Sequence, residues 1–498
     1  MNKIVSVAID LGASGGKTAK GFFDGEKVII SDIYNFVNKP IEVPNALYWD
    51  VFGLYKNILK GIKTYVAKGN EIESVAVDTW GASYGLLDKR DCLLEPIYHY
   101  RDRRTQNSLK EIYKIIDKKS IYEMTGCLCN RTYTLPQLFS YREHGLKVLE
   151  SASKMLFLPD LLGYFLTGEI STEMTIAGTS ALMNTNQEEW CYDIFEKLSL
   201  PKNILTNIVD AGTVKGTLRR NVTESTGAGR AKLVATVGHD SASGVVAIPG
   251  FGKNKLYISI GTNISMGIEN EGSIVTNAAF ECGFKNTGGI DRRKIIYRDF
   301  AGFWLVNELR RVWIMEGKDY SFEDLIKMGE NSRSQRVYID VEEPEFNNAD
   351  GDIRIKINNY LKKTGQKFIE LDGEFVLCIL ESITMKIKYY ADLLITKLHI
   401  PYLEVYVING GSRNRLLMQM ISNALETEIR AGMPYATLAG NILTQLYSLG
   451  KVKSVDEMRE LSKKSFALES FEPDTSLCWK EEMQKFQTNK KLMEAEKG

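Results

Sequence analysis

Four short apolar runs end in glycine-rich or polar loops: Ile4 to Ile9, Ser74 to Val77, Leu256 to Ile260 and Val405 to Ile408. Each reads as a buried strand, and two fall in each half of the chain. Between them, apolar residues recur at helical spacing over Leu54 to Val66, Phe303 to Met315 and Phe375 to Leu394. Strands and helices mixed along the whole length predict an α/β fold. Near the centre, Ile248 to Asn254 reads Ile-Pro-Gly-Phe-Gly-Lys-Asn. So many breakers in one stretch predict a domain boundary, with an N-terminal domain over 1–247 and a C-terminal domain over 255–485. After Glu481 the tail is polar and charged, with no wide apolar stripe, and is expected to fray.

Composition narrows the class of function. At 498 residues, 44% hydrophobic and 25% charged, the chain is an ordinary globular protein too long for one core. Lys plus Arg and Asp plus Glu both total 63, so no net positive field draws in nucleic acid or an anionic membrane. The seven cysteines form no CxxC pair, and Cys127 and Cys129 lack the companions of a zinc site. They read as thiols in a reducing compartment. Asp10 would interrupt the apolar core of a signal peptide, and no apolar run is long enough to span a bilayer, so a cytoplasmic protein is expected.

Residues Gly12 to Thr18, Gly-Ala-Ser-Gly-Gly-Lys-Thr, imitate the end of a Walker A loop. The spacing excludes it, because only three residues separate Gly12 from Gly16-Lys17. Downstream, Asp24-Gly25 divides two strand-like runs where a Walker loop needs a helix. The pattern is therefore strand, glycine loop, strand. Backbone N–H groups in such a loop can converge on phosphate oxygens, although the same glycines also serve a plain tight turn. Asp10, at the end of an apolar strand, favours the first reading, since a buried carboxylate needs a partner and a metal–phosphate group would be one. The second half repeats the theme at Gly261-Thr262-Asn263 and at Asn409-Gly410-Gly411-Ser412, where glycines would let a flat purine approach the backbone.

Taken in order, these strings resemble the FGGY carbohydrate kinases, relatives of actin, hexokinase and the Hsp70 ATPase domain. The resemblance runs from Val5 to about Phe471. It is carried by Val7 to Ser14, Asp78-Thr79-Trp80-Gly81, Tyr100 to Thr105, Leu158-Pro159-Asp160 with Leu166-Thr167-Gly168, Gly238 to Ser243, Ser259 to Thr262, and Asn409 to Asn414. The Asp-Thr-Trp-Gly and Tyr-Arg-Asp-x-Arg-Thr strings point, within the family, to the branch acting on L-rhamnulose. The resemblance implies two ribonuclease-H-like domains around a central cleft, sugar held mainly by the first and nucleotide mainly by the second. It implies ATP and Mg²⁺ as cofactors, a small-molecule sugar as the partner, and transfer to a primary hydroxyl of a ketose. It does not choose between monomer and homodimer.

Residue by residue, the resemblance implies Asp240 as the catalytic base and Asp10 as the Mg²⁺ ligand. Sugar contacts are expected from Trp80, Gly81, Arg101, His239, Asp240, Ser241 and Asp299. ATP contacts are expected from Ala13, Ser14, Gly15, Gly16, Lys17, Thr262, Asn307, Gly410 and Gly411. Each has a plainer alternative: Asp240 as a helix cap, His239 as a structural histidine, Trp80 as core, Arg101 with Asp102 as an ion pair. Ser83, where the branch carries an acid, keeps L-fuculose, xylulose and polyols open as substrates. A sugar- or nucleotide-sensing protein without catalysis is the other class of function.

Overall fold

The computed structural model describes residues 4–250, 252–474 and 479–495, so Phe251 of the breaker segment and Cys478 lie outside the described residues. The chain divides into two compact units, one made of Met1–Lys253, Glu269–Tyr297 and Tyr435–Phe466, the other of Asn254–Ile268, Arg298–Pro434 and Ala467–Gly498. It first changes unit inside the Ile248 to Asn254 segment and then returns to the first unit twice.

The first unit is built on a six-stranded sheet in the order Val214–Thr217, Lys232–Val234, Ser74–Thr79, Ile4–Leu11, Gly15–Phe23, Val28–Val37. Ile4–Leu11 is buried along its whole length because it has sheet neighbours on both sides and helices against both faces. It runs parallel to Ser74–Thr79 and antiparallel to Gly15–Phe23, so the glycine loop is a hairpin, as the Asp24-Gly25 spacing predicts. Alternation along the strand separates two environments. Val7, Ile9 and Leu11 join the cluster of Leu54, Ile58 and Ile62 from the Val51–Ala67 helix. Ser6 belongs to the opposite side, where its hydroxyl meets Ser74 at 2.9 Å, and Ser74 in turn donates to Gln445 of the Ala436–Ser448 helix at 2.7 Å.

The second unit repeats the plan. The second sheet has seven strands in the order Lys285–Gly288, Lys294–Ala301, Asn263–Asn270, Lys255–Ile260, Glu404–Ile408, Ile429–Gly432, Leu468–Phe471, with Lys255–Ile260, Glu404–Ile408 and Ile429–Gly432 parallel. The long helix Asp372–Thr396, most of it buried, supplies the core of this unit. The expected fraying of the tail is wrong: Trp479–Ala495 is a helix whose Trp479, Met483 and Phe486 pack with Tyr338, Met385 and Ala424. Its apolar stripe is narrow, but Glu482 extends it by accepting the Tyr338 hydroxyl at 2.8 Å. Among the described residues no helix is long and apolar enough to cross a membrane.

Candidate active site

Three backbone hydrogen bonds gather the first unit's loops at the ends of its parallel strands. The glycine loop closes on itself through Gly12 N–H to the Gly15 carbonyl, 2.9 Å. Trp80 N–H donates to the Leu11 carbonyl at 3.1 Å, and Thr79 N–H to the Gly238 carbonyl at 2.9 Å. The glycine loop, the Asp-Thr-Trp-Gly loop and the Gly-His-Asp loop are therefore one construction, at the carboxyl ends of strands where open α/β sheets bind ligands. Gly16 is required there, since a Cβ would stand 2.2 Å from the Phe36 ring. Ala13 and Ser14 are exposed at the tip.

Three carboxylates interact in this place. Asp10 and Asp78 are register partners on adjacent parallel strands, and Asp240 opens the Asp240–Val246 helix. Lys17, across the hairpin from Asp10, donates to it at 3.3 Å, and Asp10 holds the ammonium above its ordinary range. Asp78 is fully buried, and burial, reinforced by the charge of Asp10, pushes it well above the usual carboxylate range. Its Oδ2 accepts Asn441 Nδ2 at 2.6 Å. Asp240 is pushed up to about 7, by burial first and by Asp10 second. Its Oδ1 accepts Ser241 N–H at 2.6 Å and lies 3.6 Å from His239 Nε2. Asp240 thus holds the first position of the helix rather than the cap position, and its own carboxylate accepts a first-turn N–H. The helix is held by close approach: a Cβ on Gly440 would fall 1.8 Å from the Ser243 carbonyl, and Thr437 Oγ1 donates to the Asp240 carbonyl at 3.3 Å.

Trp80 sits in the core, its ring 4.2 Å from that of Trp49. Both indoles donate to the buried Ser83 hydroxyl, at 2.8 Å from Trp80 and 3.1 Å from Trp49. That double duty gives Ser83 a structural reason. Gly81 packs against Thr179, where a Cβ would meet Oγ1 at 2.8 Å. Asp102 is buried and accepts the N–H groups of Leu47 at 2.7 Å and Arg104 at 2.9 Å, so it forms no ion pair with Arg101, which is exposed.

In the second unit, the Gly261–Asn263 turn is laced to the start of the Trp304–Met315 helix, with Gly302 and Trp304 N–H donating to the Thr262 carbonyl at 3.1 and 2.9 Å. Asn307 lies one turn along that helix and Asp299 on the preceding strand. Gly411 is wedged, since a Cβ would sit 2.2 Å from Ile260 and 2.7 Å from Phe303, while Gly410 has open space. Thr262, Gly410 and Gly411 thus cluster at the ends of two adjacent parallel strands.

Sequence reasoning missed Asp78 and Asn441 as site residues. Asp78 stood in the Asp-Thr-Trp-Gly string without a role of its own, and nothing local signalled a partner 363 positions away. Among the described residues, Asp78 Oδ1 has no hydrogen-bond partner. An orphaned carboxylate oxygen, beside Asp10, suits a divalent cation that keeps most of its water and takes few protein ligands.

Family models match along most of the chain. The N-terminal domain of the FGGY family of carbohydrate kinases matches residues 5–247 and the C-terminal domain residues 256–449. The chain belongs to the FGGY family of carbohydrate kinases. It is an enzyme, a sugar kinase. Among FGGY relatives, it is 33% identical to the rhamnulokinase of Bacteroides thetaiotaomicron, over 95% of this chain and 96% of that one. It is 30% identical to the rhamnulokinase of Oceanobacillus iheyensis, over 94% and 98%. Its fold is that of solved FGGY kinases: TM-score 0.81 to the gluconate kinase of Lactobacillus acidophilus at 13% identity, covering 99% of this chain and 98% of that one. Against Plasmodium falciparum glycerol kinase with ADP the TM-score is 0.80 at 16% identity, covering 99% and 98%.

Proposed function

We propose that this FGGY kinase transfers the γ-phosphoryl group of ATP to the primary hydroxyl next to the carbonyl of L-rhamnulose, giving L-rhamnulose 1-phosphate. The reading is supported by relatives named rhamnulokinase over nearly the full chain, and by a carboxylate with a raised proton affinity at the start of a helix beside Asp10. Phosphoryl transfer asks a protein for alignment, charge stabilisation and removal of one proton. Asp240, with its affinity near neutral pH, takes the hydroxyl proton as the oxygen bonds to phosphorus. His239, Ser241, Gly81, Trp80, Arg101 and Asp299 form the sugar site. Residues 13–17 with Thr262, Asn307, Gly410 and Gly411 bind ATP. Asp10, beside its register partner Asp78, would hold Mg²⁺, which when bound would spread the negative charge of the phosphates.

The sequence spans 1–247 and 255–485 are the proposed sugar and nucleotide portions. A cytoplasmic location is proposed because Cys92, Cys127, Cys129, Cys191 and Cys378 form no disulfide. A coupled ADP-release screen over ketoses, aldoses and polyols tests the substrate. L-rhamnulose should give the highest kcat/KM. An aldose or glycerol as the best substrate, with ketoses inert, would refute the assignment, and L-fuculose or xylulose as the best would move it to another ketose.

A further inference from the structure

Glu173 precedes the short helix Met174–Ala177 and is almost wholly buried. Its carboxylate caps that helix, accepting Thr175 N–H at 2.8 Å, Ile176 N–H at 3.0 Å and the Thr175 hydroxyl at 2.6 Å. Capping alone would be served by aspartate, whose shorter side chain is preferred at helix starts. The extra methylene of glutamate does something more. Glu173 Oε2 also accepts the N–H of Gly238 at 3.0 Å, 65 positions along the chain, and Thr175 Oγ1 lies 2.9 Å from the same N–H.

Gly238 stands two residues before Asp240, and its carbonyl accepts Thr79 N–H at 2.9 Å. Its residue is held at both polar groups, by Glu173 with Thr175 on one side and by the Asp-Thr-Trp-Gly loop on the other. Only glycine permits this, because a Cβ at 238 would lie 2.8 Å from Glu173 Oε2. Glu173 is itself anchored from behind: its N–H donates to Asp160 Oδ1 at 3.1 Å, which accepts the buried Lys215 ammonium at 2.7 Å, and Lys215 also donates to the Ser171 carbonyl at 2.7 Å.

We propose that Glu173 is a positioning residue for phosphoryl transfer: with Thr175 it clamps the Gly238 N–H and so fixes the direction from which Asp240 meets the sugar hydroxyl. This rests on the reading of Asp240 as base. Misplacing a reacting group by about 1 Å can cost about a hundredfold in rate. Glu173→Asp keeps a carboxylate suited to capping but shortens its reach by about 1.5 Å. It should keep its melting temperature close to that of the parent, lower kcat by about 10- to 100-fold, and leave KM for MgATP and for sugar within about threefold. Thr175→Val should lower kcat in the same sense, and Thr175→Ser, which restores the hydroxyl, should recover it. These two variants carry the test if Glu173→Asp does not fold.

Combining Glu173→Asp, or Thr175→Val in its place, with Asp240→Asn separates this proposal from the reading beneath it. If Asp240→Asn alone keeps parental kcat, the base assignment has failed, and the positioning role with it. If Asp240→Asn is slow and the clamp variant slows it no further, Glu173 acts through Asp240. An equal slowing in both backgrounds overturns the proposal. So does a folded Glu173→Asp with parental kcat, or a Thr175→Ser no faster than Thr175→Val.

Discussion

The two sheets share a central plan, three parallel strands with an antiparallel neighbour, but not one chemistry. In the first, the register pair at the ends of adjacent parallel strands is Asp10 with Asp78; the corresponding pair in the second is Ser259 with Ile408. One frame thus buries two acids side by side and adds Asp240, while the other offers a hydroxyl, an alkyl group and glycines packed against Ile260. Burying like charges together costs several kcal/mol in principle and is tolerated where a cation or a proton relieves it. On the proposed reading, the duplicated plan separates two jobs: ionic and proton chemistry in the first unit, backbone and shape recognition in the second.

The largest test of this division compares acids from the two units. Asp240→Asn should lower kcat by about two to four orders of magnitude while MgATP affinity stays near the parental value, because general-base loss acts on the transition state. Asp299→Asn should lower kcat less than about tenfold and act mainly on the KM for sugar. Comparable losses of kcat from both would break the comparison. A folded Asp240→Asn retaining more than about a tenth of parental kcat would remove it from the base role.

Next in size is Gly411→Ala, which forces a methyl group into Ile260 and Phe303. Overpacking costs about 1–3 kcal/mol, so nucleotide affinity measured by calorimetry should fall by about 10- to 100-fold. Sugar binding should be unchanged. Equal weakening of both ligands would show that the second unit does not serve the nucleotide alone.

The smallest effect is on stability, and its sign is unusual. Asp240 in the folded protein holds its proton up to about pH 7, above the ordinary aspartate value. Its contribution to stability is therefore full at pH values below the ordinary aspartate range and is lost as pH rises through about 7. Asp240→Asn escapes that loss. Without nucleotide or metal it should melt about 2–5 °C above the parent at pH 8, with the gap shrinking toward pH 5. A constant difference across that range would mean that the burial of this charge is not what destabilises the site.

Much of this was legible in the sequence because it was local. The hairpin at Asp24-Gly25, the glycine loop, and the buried strands ending at Asp10 and Ile260 follow from spacing and turn chemistry. Asp240 was legible as a special acid by context, although its hydrogen bond to Ser241 and its place inside the helix were not. What stayed hidden depends on distant pairs. Ser83 looks like a missing acid until Trp49 and Trp80 are seen donating to it. The tail helix looked too polar because its burial is shared among Met483, Phe486 and a glutamate that needs Tyr338. The return of Tyr435–Phe466 to the first unit has no local signal at all.

That return has a consequence for how the molecule is made. The Ala436–Ser448 helix packs on the strands bearing Asp10 and Asp78, and its Asn441 and Gln445 are joined side chain to side chain at 2.7 Å, meeting Asp78 at one end and Ser74 at the other. A ribosome reaches these residues roughly 180 codons after Lys253, on the order of ten to forty seconds later at ordinary elongation rates. Until then the emerging first half has a sheet with one uncovered face and an acid without its amide. The strands bearing Asp10 and Asp78 thus wait for a helix translated far later, and a nascent chain stopped at Lys253 would lack the amide that meets Asp78.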